Sequence, residues 1–269
     1  MVGTSRGTSR KHYPSDLTDK PWQLIQPLIP MKTGGKAGGR PREIELREML
    51  DACFYLLRGG VSWRMLPEGF PAWQTVYSQV RRWKLDGTWE RVHDRLRDEC
   101  RLAEGRPTQP SAAALDSQSV KSADHPGIRG YDAGKKINGR KRHILVDTLG
   151  LLLAVVVTPA SKQDRDGAKD VLLCAKGRFP RLRVVWADGG YAGKLIDWTK
   201  FVCGWLIVTI LKAVGQKGFV VLPRRWVVER TFGWFMKYRR LVRDYETEPE
   251  MAETMIRAAM IHLMLRRLC

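Results

Sequence analysis

The chain has 269 residues, 43% of them apolar, which is enough to bury an ordinary core and excludes wholesale disorder. Its formal charge of +19 calls for a polyanionic partner, nucleic acid first, because the basic residues recur along the chain rather than in one tail. The longest apolar runs, 149–160 and 203–211, are too short to span a membrane, and the five scattered cysteines form no Cys-x-x-Cys pair for a disulfide framework or a zinc knuckle. No apolar signal segment follows the basic start MVGTSRGTSRKH, so a cytoplasmic location without membrane attachment is expected.

Residues 1–13 are polar and basic and read as a mobile arm. From 14 to 104 the pattern is helical and predicts a small DNA-binding domain. Its first helix opens near Asp16 or Thr18 and carries Trp22, Ile25 and Leu28 at helical spacing. The stretch 32–41, rich in Gly and Pro, is a loop, and 42–60 reads as a helix stopped by its terminal glycines. Two further helices, QTVYSQVRRWK and WERVHDRLRDECRL, flank the turn LDG. This resembles a helix-turn-helix module in which Arg81, Arg82 and Lys84 face DNA beside the apolar Val76, Val80 and Trp83. An ordinary helical bundle with a charged solvent face remains open as the alternative.

After the linker 103–111 the texture changes, and a second domain is predicted over 111–269. AAALDSQSV is a short apolar run that ends in a carboxylate. RKRHILVDTLG and LLLAVVVTPA look like a hairpin turning at Leu149-Gly150. DRDGAKDVLLCAKGR is helical, LRVVWADGGYAG is a buried strand broken by a glycine pair, and WLIVTIL is another strand. A long helix over 224–241 and a last apolar helix over 249–268 complete the chain, the last with Met255, Ala259 and Leu263 along a packing stripe. The fold class is therefore mixed α/β, with a central sheet preceded by a helical domain.

Position selects among the many acids. A carboxylate at the end of an apolar strand is delivered to the crevice at the sheet's edge, which singles out Asp116 and Asp188. Asp147 also closes a strand, but it adjoins the hairpin turn and belongs at the far end of the sheet. Asp164, Asp166 and Asp170 fall at a helix start, where the dipole alone explains them. Glu229 stands alone among basic and aromatic residues in RRWVVERTFGWFMKYRRL. In a helix, Arg225, Glu229, Gly233 and Lys237 follow one another on one face, with Val228, Phe232 and Phe235 on an adjacent core face. Glu229 can then hold a metal while Arg225, Lys237 and Arg240 grip phosphates, and Gly233 leaves room for a DNA backbone. Three converging carboxylates need a cation, and hard divalent ions prefer oxygen ligands. Two such ions about 3.5–4 Å apart can drive an in-line displacement at phosphorus.

With LDSQSVKSA around Asp116, GKKINGRKRHILVDTLG, ASKQDRDGAK, WADGGYAGK around Asp188 and VVLPRRWVVERTFGWFMKYRRLVRDYE around Glu229, the chain resembles the DDE transposases of bacterial insertion sequences, in the IS-four/IS-five group. The resemblance extends over 14–268, since the segment with GGVSWRMLP is similar to that group's N-terminal domain. It implies a ribonuclease H-like catalytic domain whose Asp116, Asp188 and Glu229 bind two Mg²⁺ ions, with Mn²⁺ as an acceptable substitute. It also implies binding of terminal inverted repeats, strand cleavage by water, attack of the freed 3′-hydroxyl on target DNA, and a homodimer on paired ends. Arg230, Arg239, Lys121, Lys141 and Arg142 join the expected DNA contacts. Asp116 and Asp188 lie 72 positions apart, which suits that core, and the 41 positions from Asp188 to Glu229 leave no space for a large β-rich insertion. The Y-x2-R-x3-E-x6-K signature is kept at Arg225 and Glu229, but Leu222 holds the Tyr position and Met236 the Lys position, with Lys237 one residue later. A nuclease of the same fold, or a remnant that binds DNA without cutting it, are the competing functions. Asp147 and His143 are minor site candidates.

Overall fold

A computed structural model describes residues 10–30, 44–124, 127–210 and 226–269. The N-terminal part is helical: α1 (Asp19–Ile25), α2 (Leu46–Gly59), α3 (Trp73–Leu85) and α4 (Thr88–Ala103). Gly60 ends α2 at φ 74°, and a Cβ there would lie 2.9 Å from Arg239 Cβ, so both the backbone and a close approach require glycine. Asp86 and Gly87 form the two-residue turn between α3 and α4, and Asp86 Oδ1 accepts from the Thr88 amide at 2.9 Å. Val76, Val80 and Trp83 are buried, as their spacing predicts.

The beginning of the chain departs from the expectation of a mobile arm. The Arg10 side chain is only 7% exposed, pairs with Asp16 (2.8 Å), Glu48 (2.7 Å) and Asp51 (3.0 Å), and stacks over Phe70. Tyr13 packs on Tyr55 and Phe70. Three carboxyl groups converge on one guanidinium, and these bonds hold residues 10–13 against α2. Residues 1–9 lie outside the described residues.

Among the described residues six strands form one sheet: β1 (Ala112–Lys121), β2 (Gly130–Asp132), β3 (Ile137–Asp147), β4 (Leu152–Pro159), β5 (Val184–Ala187) and β6 (Leu206–Thr209). The order is β2-β3-β1-β5-β6, with β4 on the edge of β3 that also carries β2. The β3–β4 hairpin turns at Gly150, φ 78°, as predicted. β1, β5 and β6 run parallel, whereas β3 is antiparallel to β1 and β4. Leaving aside the short β2, this is the ribonuclease H-like arrangement of a mixed sheet. Parallel neighbours need crossovers, supplied by α5 (Asp164–Ala175) from β4 to β5 and α6 (Lys194–Cys203) from β5 to β6. The sequence reading passed directly from β5 to β6 and omitted both α6 and β2.

The expected long helix over 224–241 is two pieces, α7 (Trp226–Met236) and α8 (Arg239–Val242). Arg58 Nη1 donates to the Lys237 carbonyl at 2.8 Å, and Tyr238 turns inward to His262 Nδ1 at 3.2 Å. These tertiary bonds end α7 without a glycine or proline. α9 (Pro249–Leu268) is buried nearly all round and is the central core helix, in line with its apolar sequence.

Alternation along the strands divides the core. Ala114, Ile144, Val146 and Val155 face α7, α9 and, through them, the N-terminal helices in one continuous apolar cluster. Ala113, Leu115, Leu145, Val185 and Ala187 face α5 and α6 in a second cluster. No helix among the described residues is long and apolar enough to cross a membrane.

Candidate active site

Asp116 lies within β1, and Asp188 follows the last residue of β5. The parallel ladder pairs Ala112 with Val184 and Ala114 with Trp186. Continued two residues, the same register brings Asp116 level with Asp188 at neighbouring strands, which lie about 4.8 Å apart in such sheets. Alternation from Ala114 turns Asp116 toward the α7 side of the sheet. Both acids are half-buried. Asp116 Oδ1 accepts from the Ser117 amide at 2.7 Å, and Asp188 Oδ1 from the Gly190 amide at 2.8 Å. A Cβ on Gly190 would sit 2.9 Å from that Asp188 oxygen, so the second glycine of the pair is what lets the carboxylate close its turn.

Glu229 is on the exposed face of α7, which packs across β1 and β3. Val228, Phe232 and Phe235 are buried behind it, as predicted. A Cβ on Gly233 would, among the described residues, meet nothing within 4 Å outside its own stretch of helix. Among the described residues no three His, Cys, Asp or Glu side chains gather closely enough to hold a metal ion as they stand.

On the opposite side of β1, Ser117 Oγ donates to Asp164 Oδ1 at 2.8 Å, and Ser119 Oγ to Asp132 Oδ2 at 2.5 Å. Lys141 Nζ joins the two acids, 2.9 Å from Asp164 and 3.4 Å from Asp132, and donates to the Lys162 carbonyl. Burial opposes ionisation of Asp132, but the Ser119 hydroxyl, the Lys135 amide and Lys141 hold its pKa down at about 2. Tyr191, three residues after Asp188, is buried beside Ser117. Burial, and then the charges of Asp116, Asp164 and Asp188, push its phenol well above the ordinary range. Sequence reasoning missed Tyr191, Ser117 and Asp132 and gave Asp164 only a dipole role. The available signal was parity: Ser117 and Ser119 must face away from Asp116, toward the start of α5.

Several expected DNA contacts are inside the protein, which corrects the sequence reading. Lys141 is buried in the cluster just described. Arg142 is 1% exposed, donates to the Leu241 carbonyl at 2.7 Å, and is pushed down to about 10 by burial. Arg240 pairs with Glu246 at 2.8 Å, donates to the Val61 carbonyl, and is buried near Trp63 and Tyr245. Arg230 is half-buried, donates to the Leu149 carbonyl at 2.9 Å and stacks with Trp226 and Trp234. Lys84 pairs with Glu248 at 3.1 Å. Arg81, Arg82, Lys121, Lys237 and Arg239 are exposed. Arg225 and Leu222 lie outside the described residues.

The minor candidates are structural. Asp147 is fully buried, pairs with Arg101 and accepts from the Leu149 (2.9 Å) and Leu151 (2.8 Å) amides, so it organises the hairpin turn. His143 is buried with Nε2 3.1 Å from Thr158 Oγ1, close enough to Gly167 that a Cβ there would overlap its ring. Burial pushes its pKa down to about 4, which keeps it neutral.

Asp116 and Asp188 thus stand level on adjacent parallel strands, and comparison with known proteins gives the family. The family described as "Transposase DDE domain" matches residues 107–264, and "Putative transposase of IS4/5 family" matches 17–93. The chain belongs to the DDE transposases of insertion sequences. It is 31% identical over 124 residues to the "Insertion element IS402 uncharacterized 16.2 kDa protein" of Burkholderia cepacia, a match covering 45% of this chain and 78% of that protein. It is 36% identical over 67 residues to the "Uncharacterized protein y4sN" of Sinorhizobium fredii (strain NBRC 101917 / NGR234), covering 25% of this chain and 51% of that one. Among solved structures it resembles the Mos1 mariner paired end complex with Mn at TM-score 0.28 and 10% identity, over 88% of this chain and 80% of that one. The Mos1 Strand Transfer Complex gives TM-score 0.26 at 12% identity, over 88% and 79%. Likeness at that level says nothing of shared chemistry.

Proposed function

We propose that this transposase binds the terminal inverted repeats of its element, cuts there and joins the freed 3′-hydroxyl to target DNA, with Asp116, Asp188 and Glu229 as its metal-binding acids. The observation that carries this reading is the β1–β5 register, which levels Asp116 with Asp188 on strands crossed by α7. The donor set is all oxygen, which fits Mg²⁺ or Mn²⁺. Two such ions, when bound, supply charge neutralisation and the activation of water or hydroxyl. The protein's own part is to fix the acids. The Ser117 and Gly190 amides orient the two aspartates, and the buried Val228, Phe232 and Phe235 set the outward direction of Glu229.

Phosphate binding falls to the exposed Arg81, Arg82, Lys121, Lys237 and Arg239, with Arg225 as a further candidate. The helices before residue 104 form the end-binding part and 111–269 the catalytic part, and a dimer on paired ends would let both ends react together. The test is cleavage and joining by purified protein on DNA bearing its element's ends, with and without Mg²⁺. Metal-dependent nicking and a joined product are expected. Glu229→Gln or Asp188→Asn should lower cleavage by about a thousandfold or more while DNA binding persists. Binding without nicking in any divalent ion would overturn the catalytic reading, and cleavage that survives Glu229→Gln would overturn the assignment of that acid.

A further inference from the structure

The backbone ladder between β1 and β5 ends at Ala114 and Trp186, two residues short of the acids. What joins their immediate supports is a line of side chains behind the sheet. Ser117, next to Asp116, donates a hydrogen bond to Asp164 Oδ1. Lys141 anchors that same oxygen from β3. Tyr191 arrives from the other strand, in the short turn (Gly189–Tyr191) that Asp188 caps. It is 2% exposed, and its hydroxyl lies against Ser117 among Asp116, Asp164 and Asp188 without a well-formed hydrogen bond. Buried hydroxyls are rarely left so. Ser117 Oγ donates its hydrogen bond to Asp164 and retains lone pairs, and carboxylates are acceptors, so the phenol O–H can add a donor to this cluster.

We propose that Tyr191 is a positioning residue of the acid pair: with Ser117, Asp164 and Lys141 it braces the strand of Asp116 against the turn of Asp188 and so sets the spacing that a divalent cation requires. The brace rests on the reading of Asp116 and Asp188 as cation ligands. Tyr191 touches neither substrate nor reacting atoms in this role. It acts through the two aspartates, as outer-shell partners do at other metal sites.

The test is Mn²⁺ binding by the full chain, followed by electron paramagnetic resonance, in wild type, Tyr191→Phe, Ser117→Ala and Asp188→Asn. Tyr191→Phe keeps the buried ring and removes only the O–H, so its melting temperature and its affinity for DNA ends should match wild type. Its Mn²⁺ affinity should fall about tenfold or more. The Mn²⁺ concentration for half-maximal cleavage should rise by the same factor, so that added metal restores the rate. Ser117→Ala should give a similar loss, and the double variant little more, because both act on one brace. Unchanged Mn²⁺ affinity in Tyr191→Phe overturns the brace, and if that variant fails to fold, Ser117→Ala carries the decision. Wild-type binding that Asp188→Asn does not weaken overturns the acid site itself, and the brace with it.

Discussion

Asp147, which ends β3, and the pair Asp116, within β1, and Asp188, just after β5, are two kinds of carboxylate, and the contrast between them separates structure from chemistry. Asp147 is sealed by Arg101 and by two backbone amides at the hairpin. Asp116 and Asp188 stay half-exposed and are oriented by local amides, at the opposite end of the sheet's parallel strands. The protein places a cation beside Asp147 from its own chain. Behind β1, the buried Lys141 is held by Asp164 and Asp132. The same residue type is thus a structural ion pair in one place and a candidate ligand in the other.

The largest effect should come from breaking the sealed end. Arg101→Met leaves Asp147 buried without its cation and should cost about 3–5 kcal/mol, read from urea denaturation. Asp116→Asn and Asp188→Asn should change stability by less than about 1 kcal/mol, because Asn keeps an oxygen for the local amide and removes repulsion. A loss at Asp188→Asn as large as that at Arg101→Met would erase the distinction.

Titration sharpens the same contrast among sealed groups. Burial pushes His143 down to about 4 and His262 down to about 3, below the ordinary 6.5. The unfolded chain therefore binds more protons, and stability is lost as pH falls from about 6.5 toward 4. At pH 5.5 each buried histidine should cost about 1 kcal/mol. Asp51 acts in the opposite sense: burial raises it to about 7, so it favours the folded state increasingly as pH falls from 7 toward 3.8. The histidine contribution is accordingly the difference in pH slope between wild type and His262→Leu. Equal slopes would mean that His262 is not held neutral.

Much of this was legible in the sequence because it depends on local pattern. The β3–β4 hairpin, α2 with its glycine stop, the α3–α4 turn and the apolar α9 follow from spacing and turn residues. Asp116 and Asp188 could be selected because they end apolar runs. The run Arg140–His143 could not be read correctly in this way. Charged residues there suggested a DNA-facing strand, but both faces of β3 are covered, and the partners come from far along the chain. Arg140 pairs with Asp244 and donates to the Glu246 carbonyl, and Arg142 reaches the Leu241 carbonyl. A strand's charge pattern does not reveal counter-charges a hundred residues away. The break between α7 and α8 was hidden for the same reason, since the Arg58 that takes up the Lys237 carbonyl belongs to α2.

The smallest predicted effect concerns the open side. Gly233 is one helical turn after Glu229 on the exposed face of α7, and among the described residues no heavy atom outside its own stretch of helix lies within 4 Å of where its Cβ would be. Within the protein alone, Gly233→Ala should be favourable by about 0.5–1 kcal/mol, since a helix interior gains from alanine and nothing obstructs the methyl group. A glycine that lowers helix stability where there is ample space needs a reason outside the fold. If that reason is DNA passing beside Glu229, Gly233→Ala should melt higher yet bind its element's ends, or cut them, less well. A variant that is both more stable and fully active would mean that the open space beside Glu229 is not part of the DNA path.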